Sequence, residues 1–250
     1  MQQIEISKMV QLDYHSSEAY KSLRTNVQFC GEDIKVIALT SCTPNEGKSS
    51  ISFQLALSMV EDGKKVLFID ADIRKSVLVG RYKIMAKKTK GLTHYLSGQS
   101  TLDEVKCATN IENLHIILTG PTPPNPSELL GGKYFKEMIT TQREKYDVII
   151  IDTPPLGSVI DSAIISRQCD GVILVIAAEE VSYKFANKVK EQLDIAGCKT
   201  LGVVLNKVKL RNGGKYGKYY GKYYSRYYGK YYGKYYGHYY GNEEEKEKEK

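Results

Sequence analysis

A phosphate-binding pattern lies in the first quarter of the sequence. The stretch SCTPNEGKSS (residues 41–50) fits the end of the pattern GxxxxGK[ST], although Cys42 stands where the first glycine is expected. In this pattern backbone N–H groups surround phosphates, the Lys48 side chain reaches the β and γ oxygens, and the Ser49 hydroxyl ligates Mg²⁺. A chance G-K-S in a turn is the alternative, but an apolar run before it and a helical pattern after it favour a phosphate loop. The nucleotide-binding residues predicted here are Asn45, Glu46, Gly47, Lys48, Ser49 and Ser50.

Three aspartates lie at the ends of two other apolar runs. VLFIDADIR contains Asp70 and Asp72, which point the same way from an extended chain, and VIIIDTPP contains Asp152. A carboxylate at the tip of a buried strand is costly unless a cation or a hydrogen-bond donor meets it, and nucleotide-bound Mg²⁺ would do so. A helix cap or a turn is the alternative for each aspartate taken alone. We predict Lys48, Asp70, Asp72 and Asp152 as catalytic residues and Ser49, Asp72 and Asp152 as ligands of Mg²⁺.

Short apolar runs alternate with stretches of helical period along the chain. The runs include KVIALTS, KKVLFIDAD, LHIILTG, YDVIIIDT, DGVILVIAA and LGVVLNK. Continuous apolar strands are typical of parallel sheets that helices cover on both faces. Helices are predicted between them, for example over SSISFQLALSMVEDG and SYKFANKVKEQLDIAG, each ending at a glycine. The pattern predicts an α/β fold with a doubly wound, mostly parallel sheet of the P-loop NTPase class, whose ligands bind beyond the carboxyl ends of the strands.

The composition predicts one globular domain followed by a basic tail. The chain has 250 residues, of which 42% are hydrophobic, enough for a single core. The formal net charge is +7, and residues 211–250 carry ten Lys or Arg against five Glu, which leaves the first 210 residues at +2. We predict an N-terminal segment with a helix at residues 1–32, a P-loop domain at 33–210 and a disordered tyrosine-rich tail at 211–250.

Cysteine usage and hydropathy indicate a cytoplasmic protein. The five cysteines are scattered and form no C-x-x-C pair, which is typical of free thiols in a reducing compartment. The longest apolar runs are shorter than the ~20 residues that span a bilayer, and the first 30 residues show no signal-peptide pattern. Any membrane contact is therefore expected to be through a partner.

The tail repeats a four-residue unit of one small, one basic and two phenolic residues. Thirteen of the 20 tyrosines lie between Tyr216 and Tyr240. A segment with almost no aliphatic side chains cannot bury enough surface to offset the entropy of ordering, so we expect it to be disordered and accessible. A basic aromatic repeat also permits stacking on single-stranded nucleic acid, which we retain as a less favoured alternative.

The motifs together resemble a known family. DADIR and IIIDTPP beside the phosphate loop resemble the deviant P-loop ATPases related to the ParA and MinD proteins. SEAYKSLRTNVQF, GLTHYLSGQ, GPTPPNPSELL, VIDSAIISRQCDGVILV, LGVVLNK and the tyrosine-rich C-terminus resemble the bacterial tyrosine kinases of capsule and exopolysaccharide systems, in particular the separate cytoplasmic kinases of the CpsD or CapB type. The likeness covers essentially the whole chain.

The resemblance implies an activity and partners that the spacing of residues in the sequence does not show. It implies an ATP- and Mg²⁺-dependent protein-tyrosine kinase that phosphorylates its own tail, is activated by a membrane-embedded adaptor of the chain-length-regulator type, and regulates polysaccharide synthesis and export. It also implies a ring-shaped homo-oligomer, which could be an octamer, a cognate phosphotyrosine phosphatase, and recruitment to the inner face of the cell membrane. The acceptor residues predicted on this basis are Tyr216, Tyr219, Tyr220, Tyr223, Tyr224, Tyr227, Tyr228, Tyr231, Tyr232, Tyr235, Tyr236, Tyr239 and Tyr240.

The resemblance also assigns roles within the site. It places Lys48 and Ser49 on the phosphate loop, Asp70 and Asp72 on a second Walker motif, and Asp152 on Walker B. Asn206 in VVLNK falls on the position that contacts adenine, although a turn-forming asparagine after a strand explains it about as well. Asp70 or Asp72 is the predicted acceptor of the phenolic proton of the substrate tyrosine. The sequence does not decide between the two.

A charged stripe on the first predicted helix has a family counterpart. Glu18, Lys21 and Arg24 are spaced i, i+3, i+6 and lie on one side of the helix. A solvated, self-paired helix face is the default explanation. The family pattern E-x-x-R-x-x-R joins subunits into a ring, and here Lys21 replaces the first arginine and lacks its planar fork. We predict an oligomer interface at these three residues.

An ATPase switch without kinase activity, like the partitioning ATPases, is the second functional class. Those proteins usually carry a lysine early in the phosphate loop, and here that part reads Ser41, Cys42 and Thr43. Its absence disfavours this alternative.

Overall fold

The computed structural model describes residues 1–86 and 89–208 of the chain. The predicted tail with its thirteen tyrosines lies outside these residues. The strands are β1 (Gln2–Gln3), β2 (Glu5–Ile6), β3 (Val36–Ser41), β4 (Val66–Asp70), β5 (Ile84–Met85), β6 (Lys106–Ala108), β7 (Leu114–Ile117), β8 (Val148–Asp152), β9 (Gly171–Ala177) and β10 (Thr200–Asn206). The helices are α1 (Tyr14–Gln28), α2 (Lys48–Glu61), α3 (Leu78–Tyr82), α4 (Leu92–Leu96), α5 (Leu102–Val105), α6 (Pro126–Gly131), α7 (Lys133–Arg143), α8 (Asp161–Ser166) and α9 (Tyr183–Ile195). Within the described ranges, no helix is both long and apolar enough to cross a bilayer.

Eight strands form one mixed sheet in the order β1-β6-β7-β4-β8-β3-β9-β10. Every neighbouring pair is parallel except β6 and β7, which are antiparallel. From β3 the chain moves to one side of the sheet through β4 and β7, and returns through β8 to the other side with β9 and β10. The loop after β3 therefore lies where the strand order reverses, which is the ligand-binding edge of doubly wound sheets. The predicted α/β, mostly parallel fold is confirmed.

Helices cover both faces of the central strands. β3, β4 and β8 are buried at every residue, as their continuous apolar sequences predict. On one face, Phe53 of α2 packs edge-on against Phe68 of β4 with ring centroids 5.4 Å apart. On the other face, Phe135 of α7 packs in a cluster with Ile149 and Ile151 of β8. Each such buried side chain contributes about 1.5–3 kcal/mol, so the core holds the strand ends in fixed positions.

The N-terminal residues take part in the sheet. β1 pairs in parallel with β6 at the sheet edge, and the Ile4 N–H donates to the carbonyl of Ala108 at 3.0 Å. β2 pairs with β5 in a separate antiparallel ribbon. Ile4 and Ile6 are buried in the same core as α2. These two-residue strands are too short to carry a periodic sequence signal, so the sequence alone does not predict them.

Candidate active site

The phosphate loop joins β3 to α2 at the carboxyl edge of the sheet. Residues 42–47 lie between Ser41, the last residue of β3, and Lys48, the first residue of α2. Gly47 has a left-handed backbone with φ 88°, and a Cβ there would lie 2.1 Å from Nδ2 of Asn206. Only glycine fits at this position, as the GK[ST] pattern requires.

Cys42 occupies the position of the first glycine in the pattern. Its backbone is not left-handed, so the position does not require glycine. The left-handed residues of the loop are Asn45, with φ 68°, and Gly47. The Cys42 side chain is fully buried, and this burial raises the pKa of its thiol to about 12. Because the thiolate is the reactive form, Cys42 is a packing residue with a poorly reactive thiol.

Glu46 uses its side chain inside the loop. Its carboxylate accepts hydrogen bonds from the Thr43 N–H at 2.7 Å and the Ala177 N–H at 3.1 Å, and the residue is 1% exposed. The Asn206 side chain donates to the Glu46 carbonyl at 2.8 Å. The loop is thereby tied to the ends of β9 and β10. Sequence reasoning assigned Glu46 and Asn206 to the nucleotide, and the structure places both side chains against the loop.

Lys48 lies at the centre of the site. Its Nζ is 2.7 Å from Oδ1 of Asp152, 4.0 Å from Oδ2 of Asp72 and 3.2 Å from the Ser49 hydroxyl. The Ser52 hydroxyl donates to the same Asp152 oxygen at 2.9 Å. Lys48 and Asp152 are 6% and 2% exposed, so this ion pair is buried. The structure brings together the lysine and two of the aspartates that the motifs indicated.

Asp70 completes the acidic cluster. It pairs in register with Asp152 across β4 and β8 and accepts a hydrogen bond from the Ser76 hydroxyl. Its Oδ1 is buried and has no hydrogen-bond partner among the described residues. Burial, and then the negative charge of Asp152, raises the pKa of Asp70 to about 8. Both effects favour the protonated carboxyl, while the Ser76 hydrogen bond and the charge of Lys48 oppose them.

Asp72 is more accessible than Asp70. Its Oδ1 accepts the Lys75 N–H at 3.1 Å, while Oδ2 faces Lys48. Burial raises the pKa of Asp72, and the Lys48 charge and the hydrogen bond from Lys75 oppose this effect.

The cluster suits a divalent cation that shares its ligands with a nucleotide. Three carboxyl groups lie around one ammonium group, and oxygen ligands are those that Mg²⁺ prefers. In the described part of the chain, no three His, Cys, Asp or Glu side chains are arranged to hold a metal ion by themselves. A magnesium ion here would also need the Ser49 hydroxyl, phosphate oxygens and water, which is how Mg²⁺ commonly binds. The partnerless Asp70 oxygen supports this fit.

Several polar side chains at the site were not predicted. Arg81 of α3 donates to the Ser50 hydroxyl in the first turn of α2. Arg74 binds Asp161 and Ser127 at the rim of the site. The DADIR motif contains Arg74, but nothing local in the sequence indicates its partners.

The predicted oligomer stripe is divided between two sets of contacts. Lys21 pairs with Glu18 at 2.8 Å on the exposed side of α1. Arg24 turns toward α2, where it donates to the Ser58 carbonyl at 2.6 Å and lies 3.5 Å from Asp62. The interface role of the stripe stays a prediction.

Comparisons with known proteins identify the family. A family described as AAA domain matches residues 34–196. The tyrosine-protein kinase CpsD of Streptococcus pneumoniae serotype 4 is 46% identical over 218 residues, which cover 87% of this chain and 95% of that protein. The chain belongs to this family of bacterial tyrosine-protein kinases.

Solved structures agree with membership of the tyrosine-kinase family. The kinase domain of the Escherichia coli tyrosine kinase ETK has a TM-score of 0.75 at 29% identity, covering 84% of this chain and 85% of that one. The septum site-determining protein MinD complexed with Mg-ADP from Pyrococcus horikoshii has a TM-score of 0.60 at 25% identity, with 72% of each chain covered. The predicted family resemblance and P-loop fold are confirmed. The roles of the individual site residues stay predictions.

Proposed function

We propose that this member of the tyrosine-kinase family transfers the γ-phosphoryl group of ATP to tyrosines of its own C-terminal tail. The observation that carries the proposal is the position of Lys48. It begins α2 directly after a phosphate loop and lies between Asp152 at 2.7 Å and Asp72 at 4.0 Å. This combination of a loop, a buried lysine and strand-end carboxylates matches what phosphoryl transfer requires.

The residues at the loop would hold ATP and Mg²⁺. The backbone of residues 45–50 and the Lys48 ammonium would bind the phosphates, with Asn206 beside the adenine. Ser49 and Asp152 would ligate Mg²⁺, with Asp72 within reach of the same ion. When bound, Mg²⁺ would neutralise charge on the phosphoryl oxygens.

Lys48 is held ready for a phosphate before nucleotide binds. The Asp152 and Ser49 contacts keep the ammonium at the end of the loop. A phosphate would compete with Asp152 for this ammonium, and the exchange would remove the Lys48 contact from Oδ1 of Asp152. The Ser52 hydroxyl continues to orient the Asp152 carboxylate through its 2.9 Å hydrogen bond.

Asp72 is the better candidate to accept the phenolic proton. Asp70 is 1% exposed and lies in register beside Asp152, whereas Asp72 is 9% exposed and the easier of the two for a substrate to reach. Burial raises the pKa of Asp72, but the charge of Lys48, toward which its Oδ2 is directed, opposes this effect and favours the ionised carboxylate. A tyrosine hydroxyl with pKa ~10 needs only a positioned carboxylate and a nearby cation to lose its proton in the transition state.

The acceptors and partners follow from the family. The thirteen tail tyrosines between Tyr216 and Tyr240 are the proposed substrates, reached in trans within a ring formed through Glu18, Lys21 and Arg24. A chain-length-regulator-type adaptor would recruit this cytoplasmic enzyme to the membrane and activate it. A cognate phosphatase would reverse the modification, and the cycle would regulate capsular or exopolysaccharide synthesis and export.

Intact-mass analysis of the full chain after incubation with Mg²⁺·ATP tests this function, with and without the cytoplasmic segment of the adaptor. We expect multiple phosphotyrosines in the wild type and none in Lys48→Met. Lys145→Met, which removes an exposed lysine, is the matched control and keeps the modification.

Other outcomes separate the alternatives. Persistent phosphotyrosine in purified Lys48→Met would refute the site assignment. ATP hydrolysis with an unmodified wild-type tail would favour a switch ATPase of the ParA and MinD kind, and salt-sensitive RNA binding without modification would favour a nucleic-acid partner.

A further inference from the structure

Three loops at the rim of the site meet at one arginine. Arg74 follows β4, and its Nε donates to Oδ2 of Asp161 at 2.6 Å while its Nη2 lies 3.1 Å from Oδ1. The same Nη2 lies 3.2 Å from the Ser127 hydroxyl, which donates to Asp161 Oδ1 at 2.6 Å. The guanidinium, the carboxylate and the hydroxyl form a closed set of hydrogen bonds, which we call the rim clip.

The clip joins segments that follow three adjacent strands. β7, β4 and β8 are neighbours in the sheet. Ser127 lies in α6, which follows β7, and Asp161 begins α8, which follows β8. Loops at the carboxyl ends of parallel strands form the ligand site in this fold. One side chain thus connects the loops on the side of the site that carries the acidic cluster.

Burial makes the clip specific to an arginine. Asp161 is fully buried, and a buried carboxylate is tolerated only when it is paired and hydrogen-bonded. The two parallel contacts of the Arg74 fork satisfy both carboxylate oxygens, which a lysine ammonium cannot do.

The clip fixes the segment that carries Asp72. The Ala71 N–H donates to the Asp152 carbonyl at 2.8 Å, and Ile73 is buried in the core. Asp72 lies between these two anchors, with Arg74 two residues further on. Loss of the Arg74 contacts would loosen the backbone after Ile73, including Lys75, whose N–H donates to Asp72 Oδ1 at 3.1 Å, while the N-terminal side stays attached to β8.

We propose that Arg74 is a positioning residue for phosphoryl transfer, which holds Asp72 at its place beside Lys48 by clipping the loops after β7, β4 and β8 together. This inference rests on the proposed role of Asp72. It assigns Asp161 and Ser127 the same purpose, because both bind the Arg74 guanidinium.

Steady-state kinetics of the full chain with Mg²⁺·ATP and a peptide of residues 217–241 as acceptor test the proposal. We expect Arg74→Gln to lower kcat roughly 10- to 100-fold, the scale of a 1 Å misplacement, while KM for ATP changes by less than about threefold. Arg74→Lys keeps the charge and loses the fork, so its kcat should lie between those of Arg74→Gln and the wild type. Arg74→Gln combined with Ser127→Ala should lose little more than Arg74→Gln alone, because both act through one set of contacts.

A second arginine–aspartate pair provides the matched control. Arg143 binds Asp170 at the amino end of the sheet, where Asp170 also accepts the N–H groups of Lys35 and Val36. The Arg143 side chain is 36% exposed and that of Arg74 38%, so the two arginines are comparable. Arg143→Gln should lower the unfolding midpoint without changing kcat.

The possible failures are distinguishable. An Arg74→Gln protein with wild-type kcat, beside an inactive Asp72→Asn protein, overturns the clip and leaves the site assignment intact. Full activity of Asp72→Asn overturns the role of Asp72 and the clip with it. If the Arg74→Gln protein does not fold, the milder Arg74→Lys variant is measured in its place. A kcat equal to that of the wild type in folded Arg74→Lys overturns the proposal.

Discussion

Lys48 and Asp152 form a buried ion pair across the end of the phosphate loop, with 2.7 Å between Nζ and Oδ1. The pair links the first residue of α2 to the last residue of β8. Because removing one partner leaves the other charge buried, we expect Lys48→Met to lower the free energy of unfolding by about 3 kcal/mol. Adding Asp152→Asn to Lys48→Met should recover part of this loss. Urea unfolding without nucleotide measures both changes.

An exposed pair shows what the same substitution costs without burial. Lys90 lies 2.6 Å from Glu104, and both side chains are more than 40% exposed. Lys90→Met should change the unfolding free energy by less than about 1 kcal/mol. Equal losses at Lys48 and Lys90 would contradict the buried ion pair.

Asp70 makes the stability of the nucleotide-free protein depend on pH. Its pKa is about 8 in the folded chain and ~3.9 in an unfolded one, so the folded state binds the extra proton between these values. Stability therefore falls as pH rises from 5 to 8, by at most about 1.4 kcal/mol per pH unit. Asp70→Asn cannot titrate and can still accept the Ser76 hydrogen bond, so its advantage over wild type should grow with pH.

Thermal unfolding of both proteins at pH 5 and pH 8, without nucleotide or Mg²⁺, measures this effect. The difference in midpoint between Asp70→Asn and wild type should be larger at pH 8. A difference that is independent of pH would show that Asp70 is ionised in the folded chain.

Gly47 is essential to the loop for two reasons: its backbone is left-handed, and a side chain would collide with Asn206. A Cβ at this position meets Asn206 Nδ2 at 2.1 Å, so Gly47→Ala should displace Asn206 and weaken binding of a fluorescent ATP analogue at least tenfold. Gly63→Ala is the control, since Gly63 has φ 79° and open space around it. It should cost stability and leave binding unchanged. Similar affinities for the two variants would mean that the loop adapts to the added methyl group.

Much of the site could be predicted from local sequence because β strands that run in parallel end at one edge. The apolar runs before Lys48, Asp70 and Asp152 predict buried parallel strands, and their carboxyl ends necessarily converge. The left-handed backbone of Gly47 is encoded in the GK[ST] pattern itself.

The parts that could not be predicted depend on partners far away in the chain. Arg74 is 53 residues from Ser127 and 87 residues from Asp161, and no local pattern relates them. Glu46 has the right place to face a phosphate, yet two backbone N–H groups in the folded loop bind its carboxylate. The contact of Arg24 with α2 could not be predicted either. The spacing of residues along α1 places Arg24 on one side of that helix but does not show that α2 packs against this side.

Cys42 should be chemically inert despite its place in the loop. Its thiol is fully buried with a pKa of about 12, whereas Cys30 is partly exposed near the end of α1. Alkylation of the native chain with iodoacetamide at pH 8 should therefore modify Cys30 within minutes and leave Cys42 unmodified until the protein is unfolded in urea. Peptide mass spectrometry resolves the two sites. Rapid labelling of Cys42 in the native state would instead require the loop to open, and a protective effect of Mg²⁺·ATP on that labelling would then place the opening at the nucleotide site.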